Sequence, residues 1–215
     1  MNQGDTETPQ PAHDRYPELA EIPGLAWTML KRAVADRRHG FRTPTVCTVS
    51  AIDGTPAART VVLRHADPKS LIIRCHTDRR ATKIADIEAQ PVVAWHFYDT
   101  KSRTQLRCRT VSRVHTTGPT FEDAWQRTAL MSRRCYLAPN APGSVSDEPS
   151  ANLPDDLLQA DPSQERSEDG KVNFAVVESR VERMDWLLLK HSGHRRAKFE
   201  WGEDGDLLLA DWLEP

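Results

Sequence analysis

The chain of 215 residues contains no apolar run long enough to cross a membrane. Its opening stretch, "MNQGDTETPQPAHDRYPE", lacks the basic and apolar regions of a secretory signal. A cytoplasmic protein with reduced thiols is therefore expected. Cysteine is scarce: Cys47, Cys75, Cys108 and Cys135 are widely spaced and form no C-x-x-C, which excludes metal knuckles and thioredoxin-type redox pairs. Three of the four fall in strand-like runs, where a thiol behaves as a small apolar side chain. Also missing are G-x-S-x-G, H-E-x-x-H, a P-loop and G-x-G-x-x-G. Histidine, cysteine and acidic residues never gather at metal-ligand spacing, so no metal is expected. The net charge of −2 supplies no global field toward nucleic acid or anionic lipid, and neither is expected as a partner. Any anion site must be built locally.

Residues 1–20 are polar and Pro-containing and read as a flexible N-terminal segment, with a single domain over 21–215. "IPGLAWTMLKRAVADRRHG" predicts a helix with Leu25, Met29 and Ala33 on one face and Gly40 as a C-cap. "TPTVCTVSA", "AARTVVLRH", "SLIIRCHT", "VVAWHFYD" and "TQLRCRTVSRVH" are β-rich runs, and Asp53-Gly54 is a hairpin signal. "DRRATKIADIEAQP" reads as a short helix, and "TFEDAWQRTALMSRRCYLA" as a second long one with Thr120 at its N-cap. Residues 139–170 are rich in Pro, Ser and acid, with eight acids against Arg166 alone. They read as a long solvated loop with one short turn at "PDDLLQA". The remaining runs return to strands. About seven or eight antiparallel strands with two or three helices predict an α+β barrel or sandwich.

Cations and hydroxyls gather near strand ends. Arg59 and Arg64 bracket "RTVVLR", and the next strand runs into "CHTDRRATK", where His76, Thr77, Arg79, Arg80, Thr82 and Lys83 crowd a strand-to-helix junction. A charge run at a turn is ordinarily just solvated. Helix N–H groups, Thr hydroxyls and guanidinium forks together favour a phosphate. If residues 59–64 form one strand, alternation puts Arg59 and Arg64 on opposite faces. They would then serve two different anions, or one anion and one structural contact.

The order of these motifs resembles the pyridoxamine 5′-phosphate oxidase family of FMN-binding split β-barrels, over about Thr45 to Val114. The matching pieces are the D-G turn, R-x-V-x-L-[RK] as "RTVVLR", a strand ending "HTD", R-S-x-K as "RATK", then "QPVVAWHFY" and Q-x-R as "QLR". The resemblance implies an α+β fold with an antiparallel split β-barrel and flanking helices. It implies a homodimer with FMN at its interface and a small, possibly phosphorylated, substrate. Arg59 and Lys83 would contact the FMN phosphate, with His76, Thr77, Arg80 and Thr82 alongside. The backbone of Thr60, Val61, Val62 and Leu63 would line the flavin ring, and Gln105 its polar edge. Arg64, beside the cofactor, would hold the substrate's phosphate, helped by Trp125, Arg195 and Arg196. No catalytic acid or base is assigned. The departures are Ala81 for the motif's Ser, Ala129 where the substrate-binding Arg stands, Trp212-Leu213-Glu214-Pro215 for the closing R-L-x-P, and Trp186 and Trp201 only near the place of the C-terminal hairpin Trp. They bear on vitamin B6 phosphate oxidation more than on FMN. Two activities are implied, an FMN-dependent oxidoreductase or a non-catalytic flavin-binding or redox-sensing protein. A split barrel that holds another phosphorylated ligand instead of FMN is the third reading.

Overall fold

The computed structural model describes residues 16–215. Of the loose segment expected over 1–20, residues 1–15 lie outside the described part, while Leu19–Glu21 form a 3-10 turn. Nine strands form one antiparallel sheet: β1 (Thr45–Val49), β2 (Pro56–Thr60), β3 (Leu63–Asp67), β4 (Ile72–Asp78), β5 (Val92–Asp99), β6 (Thr104–His115), β7 (Phe174–Leu188), β8 (Arg195–Trp201) and β9 (Leu207–Leu213). The order is β2-β1-β5-β6-β7-β4-β3. The long strand β7 pairs with β4 through its first half and with β8 through its second, and β9 adds to β8. The sheet does not close, because β2 and β3 lie at its two ends. These are antiparallel strands with flanking helices, the expected α+β class.

The β1–β2 hairpin turns at Gly54, whose φ of 72° suits glycine. Asp53 accepts from the Thr55 N–H and hydroxyl to set that turn. Helix α1 (Ile22–Ala35) buries Ile22, Ala26, Trp27, Leu30 and Ala33 against the sheet. This stripe differs from the expected one, because Leu25 points outward and is half-exposed. Gly40 is not the C-cap either, since α1 ends at Asp36. Gly40 instead packs against the end of β5, where a Cβ would lie 2.6 Å from the Asp99 Cα.

Helix α2 (Thr82–Ala89) follows β4. The expected second long helix is broken. Gly118, with φ 85°, leads into α3 (Pro119–Arg127), so Thr120 is not its N-cap. Thr128 and Ala129 are extended before α4 (Leu130–Arg133) begins. At this break the Arg133 guanidinium donates to the carbonyls of Trp125, Gln126 and Thr128, the first of which also accepts from the Thr128 N–H. Under α3, Phe121, Trp125, Tyr136, Phe174 and Val176 make a second small core.

The acidic stretch 139–170 contains the expected turn, as a 3-10 turn at Asp155–Leu157, and also a short helix α5 (Gln164–Glu168). It is not simply a solvated insertion. Glu168 accepts from Arg133 at 2.7 Å and from the Trp125 indole N–H at 3.0 Å, which ties the segment to α3 and α4.

Candidate functional site

The segment "RTVVLR" is not one strand. Arg59 and Thr60 end β2, with Val46 opposite Arg59 on β1. Val61 and Val62 leave the ladder, and the Val61 N–H donates to the Pro44 carbonyl at 2.9 Å. Leu63 then begins β3, which pairs with β4 at the far end of the sheet order. The chain thus crosses from one end of the open sheet to the other between the two arginines. The alternation argument does not apply across such a crossover. The register also shifts between Leu63 and His65, so Arg64 sits at a bulge that re-aims it.

Arg59 lies on the inner side of β2, facing α2. Its Nη1 donates to Thr48 Oγ1 and to the Ala57 carbonyl, and its Nη2 to Asp86 Oδ2 at 3.3 Å. Lys83, one helical turn before Asp86, donates to Thr77 Oγ1 at 2.8 Å. Burial pushes the Lys83 ammonium below its ordinary range, and the neighbouring Arg59 charge adds to the effect. Lys83 makes no ion pair with a carboxylate among the described residues. Two cations therefore converge where β2 ends and α2 begins. Thr82 is exposed at the start of the same helix. Arg80 is spent elsewhere: it forks onto Asp78 and donates to the Ala138 and Pro139 carbonyls, anchoring the start of the acidic segment. Asp86 and Thr48 were not singled out from the sequence. The signal for Asp86 was its spacing of three from Lys83 on one helix, which puts both on one side.

Arg64 opens on a different cavity, of about 460 Å³. Arg37, Arg42, Arg64, Arg74 and Arg127 line it with His65, His76 and Asp123. Arg74 is paired with Glu178, and Arg127 with Asp123. Arg42 holds only the neutral carbonyls of Ala33, Val34 and Leu63. Arg37, Arg42 and Arg64 have no carboxylate partner among the described residues, and the buried Nε of Arg64 has no partner of any kind. The crowding is electrostatically visible. Burial and then the Arg64 charge lower the Arg42 pKa.

His76 is held to about 3, first by burial and then by Arg64 and Arg74, so it is a neutral ring at ordinary pH. It meets Thr128 Oγ1 at 3.3 Å and the edge of Phe174. A histidine whose folded pKa lies below its unfolded value of 6.5 binds its proton only after unfolding between those two pH values. Stability must then fall as pH drops through that window, by at most about 1.4 kcal/mol per pH unit. Urea denaturation at pH 7 and pH 5 should show a larger loss for the wild type than for His76→Gln; equal losses would remove His76 as the cause.

Trp125 does not reach this cavity as a substrate contact. It is 1% exposed, packs on Tyr136 and Phe174, and carries the Arg133 guanidinium 4.4 Å from its ring. Leu63 and Val61 are likewise buried, so at 60–63 the backbone and the side chains of the exposed Thr60 and half-buried Val62 are available to a ligand.

The sequence model for "Pyridoxamine 5'-phosphate oxidase, FMN-binding domain" matches residues 25–116. Over those residues the chain is similar to this family. The match contains β1 to β6, Arg59, Lys83, Gln105 and the arginines of the Arg64 cavity other than Arg127. No curated protein matches the chain. Among solved structures, a pyridoxamine 5'-phosphate oxidase-related, FMN binding protein from Nostoc punctiforme is similar, with a TM-score of 0.69 and 20% identity over 89% of this chain and 96% of that one. PhzG from Burkholderia lata, solved with tetrahydrophenazine-1-carboxylic acid, is similar with a TM-score of 0.63 and 13% identity over 99% of this chain and 100% of that one. At these identities the likeness establishes the fold, and it extends the split-barrel architecture beyond the matched residues into the C-terminal strands.

Gln105 lies on the sheet face opposite the core, where it meets His96 Nε2 at 3.1 Å. Arg196 is held by Asp185, and Arg195 packs over the Tyr16 ring. Neither lines the Arg64 cavity in a single chain. Among the described residues no cluster of three or more His, Cys, Asp or Glu is placed to hold a metal, and no helix is long and apolar enough to cross a membrane.

Proposed function

We propose that the protein is an FMN-dependent oxidoreductase that acts on a small anionic molecule. The observation that carries this reading is the pair of cation sites on either side of the Val61–Val62 crossover. Arg59 and Lys83 would hold the cofactor phosphate, with Thr77 and Thr82 alongside and the crossover backbone behind the flavin ring. Both side chains fit that role: Arg59 keeps an unpartnered Nε–H edge, and Lys83 has only a hydroxyl partner. FMN, once bound, supplies hydride or electron transfer, and the protein supplies orientation and charge. Arg64 would draw the substrate into the neighbouring cavity, where three guanidinium groups lack carboxylate partners. A phosphorylated or carboxylated compound suits that surplus of positive charge. His76, neutral beside them, adds a ring nitrogen that holds no charge against the anion.

The reading includes a homodimer in a cytoplasmic setting. Gln105 and Arg59 sit on opposite faces of one chain's sheet, so a flavin held by Arg59 would meet the Gln105 of a second copy, and Arg195 and Arg196 would likewise come from that copy. The purified protein should be yellow or become so on adding FMN, and should run as a dimer by light scattering. No visible absorption after FMN addition would overturn the cofactor assignment. Anaerobic bleaching by NAD(P)H or by pyridoxine phosphate, reversed by air, supports an enzyme. Bound flavin that no donor in a broad screen reduces would point to a flavin-binding or sensing role instead.

A further inference from the structure

Arg59 offers five N–H donors, and the protein engages three of them: one from each Nη on the end-on edge, toward the adjacent Thr48 Oγ1 and Asp86 Oδ2, and the other N–H of Nη1, toward Ala57. Nη1 donates to Thr48 Oγ1 at 2.5 Å and to the Ala57 carbonyl at 3.0 Å, and Nη2 to Asp86 Oδ2 at 3.3 Å. Its Nε has no protein partner and is not buried. The side-on edge, Nε–H with the second Nη2–H, is therefore open. That edge is a two-donor fork matched to a phosphate.

The end-on edge is held by a carboxylate that cannot follow the arginine. Asp86 is 5% exposed and receives the Thr48 hydroxyl at 2.7 Å and the Ala51 N–H at 3.0 Å, besides Arg59. Burial alone would raise its pKa, but these hydrogen bonds outweigh it and keep the carboxyl below its ordinary range. The carboxylate is thus fixed to β1 and its turn, and Arg59 comes to it. We propose that Asp86 is the positioning residue of the phosphate site: it sets the roll of the Arg59 guanidinium so that the side-on fork is the edge presented to the anion. This rests on the reading of Arg59 and Lys83 as the cofactor-phosphate site. Asp86 also brings negative charge near that anion. Arg59, Lys83 and Asp86 together still carry a net positive charge, and the carboxylate is already satisfied by three donors, so orientation outweighs repulsion.

FMN and riboflavin, titrated against the full chain by flavin fluorescence, separate orientation from simple support, because only FMN carries the phosphate. Asp86→Asn should raise the FMN dissociation constant about tenfold, the scale of one misaligned charge-assisted hydrogen bond, and leave riboflavin within about twofold. Added to Arg59→Ala, it should cause no further loss. Equal weakening of both flavins, additive losses, or FMN affinity that is unchanged or improved would overturn the proposal. Should Asp86→Asn not fold, Asp86→Glu keeps the charge but displaces the carboxylate by one methylene. The same phosphate-selective loss is expected, and wild-type FMN affinity in that variant would overturn the proposal. A wild type that takes up neither flavin overturns the functional reading itself, whereas a wild type that binds FMN beside an unaltered Asp86→Asn overturns only the role of Asp86.

Discussion

Arg59→Ala should weaken FMN binding about a hundredfold, close to 3 kcal/mol. Two losses contribute. The variant removes the open side-on fork that a phosphate would use, a charge-assisted contact of about 1.5–3 kcal/mol. It also leaves Asp86, almost fully buried, with no cation on Oδ2. That uncompensated carboxylate then faces the cofactor's phosphate with Lys83 alone between them. Arg59→Lys should fall between the two, because it restores charge without the planar fork. Equilibrium titration of the apoprotein with FMN measures all three. Wild-type affinity in Arg59→Ala would remove the residue from the site. Arg64→Ala is the contrasting variant: it should leave FMN bound and raise the KM for an anionic substrate, because Arg64 lines the other cavity.

Arg133→Ala should destabilise the fold by about 3–5 kcal/mol, the scale of losing several hydrogen bonds made by a buried charged group together with its packing, and lower the melting temperature by roughly 10 °C for a chain of this size. The Arg133 side chain is 4% exposed and donates to the Trp125, Gln126 and Thr128 carbonyls at the end of α3. It also stacks on Trp125 and holds Glu168 and the Ser167 hydroxyl. Truncation removes the Arg133 donors from those carbonyls and cuts the tether of the acidic segment. Glu168→Gln should cost only about 1 kcal/mol, since that carboxylate is nearly half exposed and solvent replaces part of the bond. Thermal denaturation measures the loss, and limited proteolysis reports whether residues 139–163 become cleavable. An Arg133→Ala protein with wild-type melting and wild-type protease resistance would remove the arginine as the latch.

Much of this fold is local and was legible in the sequence. Period-two alternation gave the strand runs, Asp53-Gly54 their first turn, and "RATK" the start of α2. What the sequence hid depends on partners far along the chain. Nothing in "RTVVLR" reveals that β2 pairs with β1 while β3 pairs with β4, so the break at Val61–Val62 reads as continuous β-rich sequence. Trp125 reads as an accessible aromatic on a helix until Phe174 and Tyr136 close over it. Arg80 reads as a phosphate fork until Ala138 and Pro139, almost sixty residues away, bring their carbonyls to it. Arg37, Arg42, Arg74 and Arg127 lie on separate segments, and only folding gathers them around Arg64. The cation cluster within one junction was readable, and the one assembled from five segments was not.

The crossover at Val61–Val62 also acts as a ruler. Arg59 is fixed by β1 and α2, and Arg64 by the bulge against β4, so the few bonds between them set how far the two cation sites stand apart. A residue inserted there would lengthen the link by about 3.3 Å. It would slide β3 along β4 or buckle the crossover, although every side chain in both sites were retained. The spacing of the two arginines is thus a constraint on chain length rather than on residue type. Val62 at the crossover can vary as long as the number of residues does not, whereas Val61 must stay apolar because it is buried in the core, and the cavity beside Arg64 can change its other walls without disturbing the distance to the phosphate site.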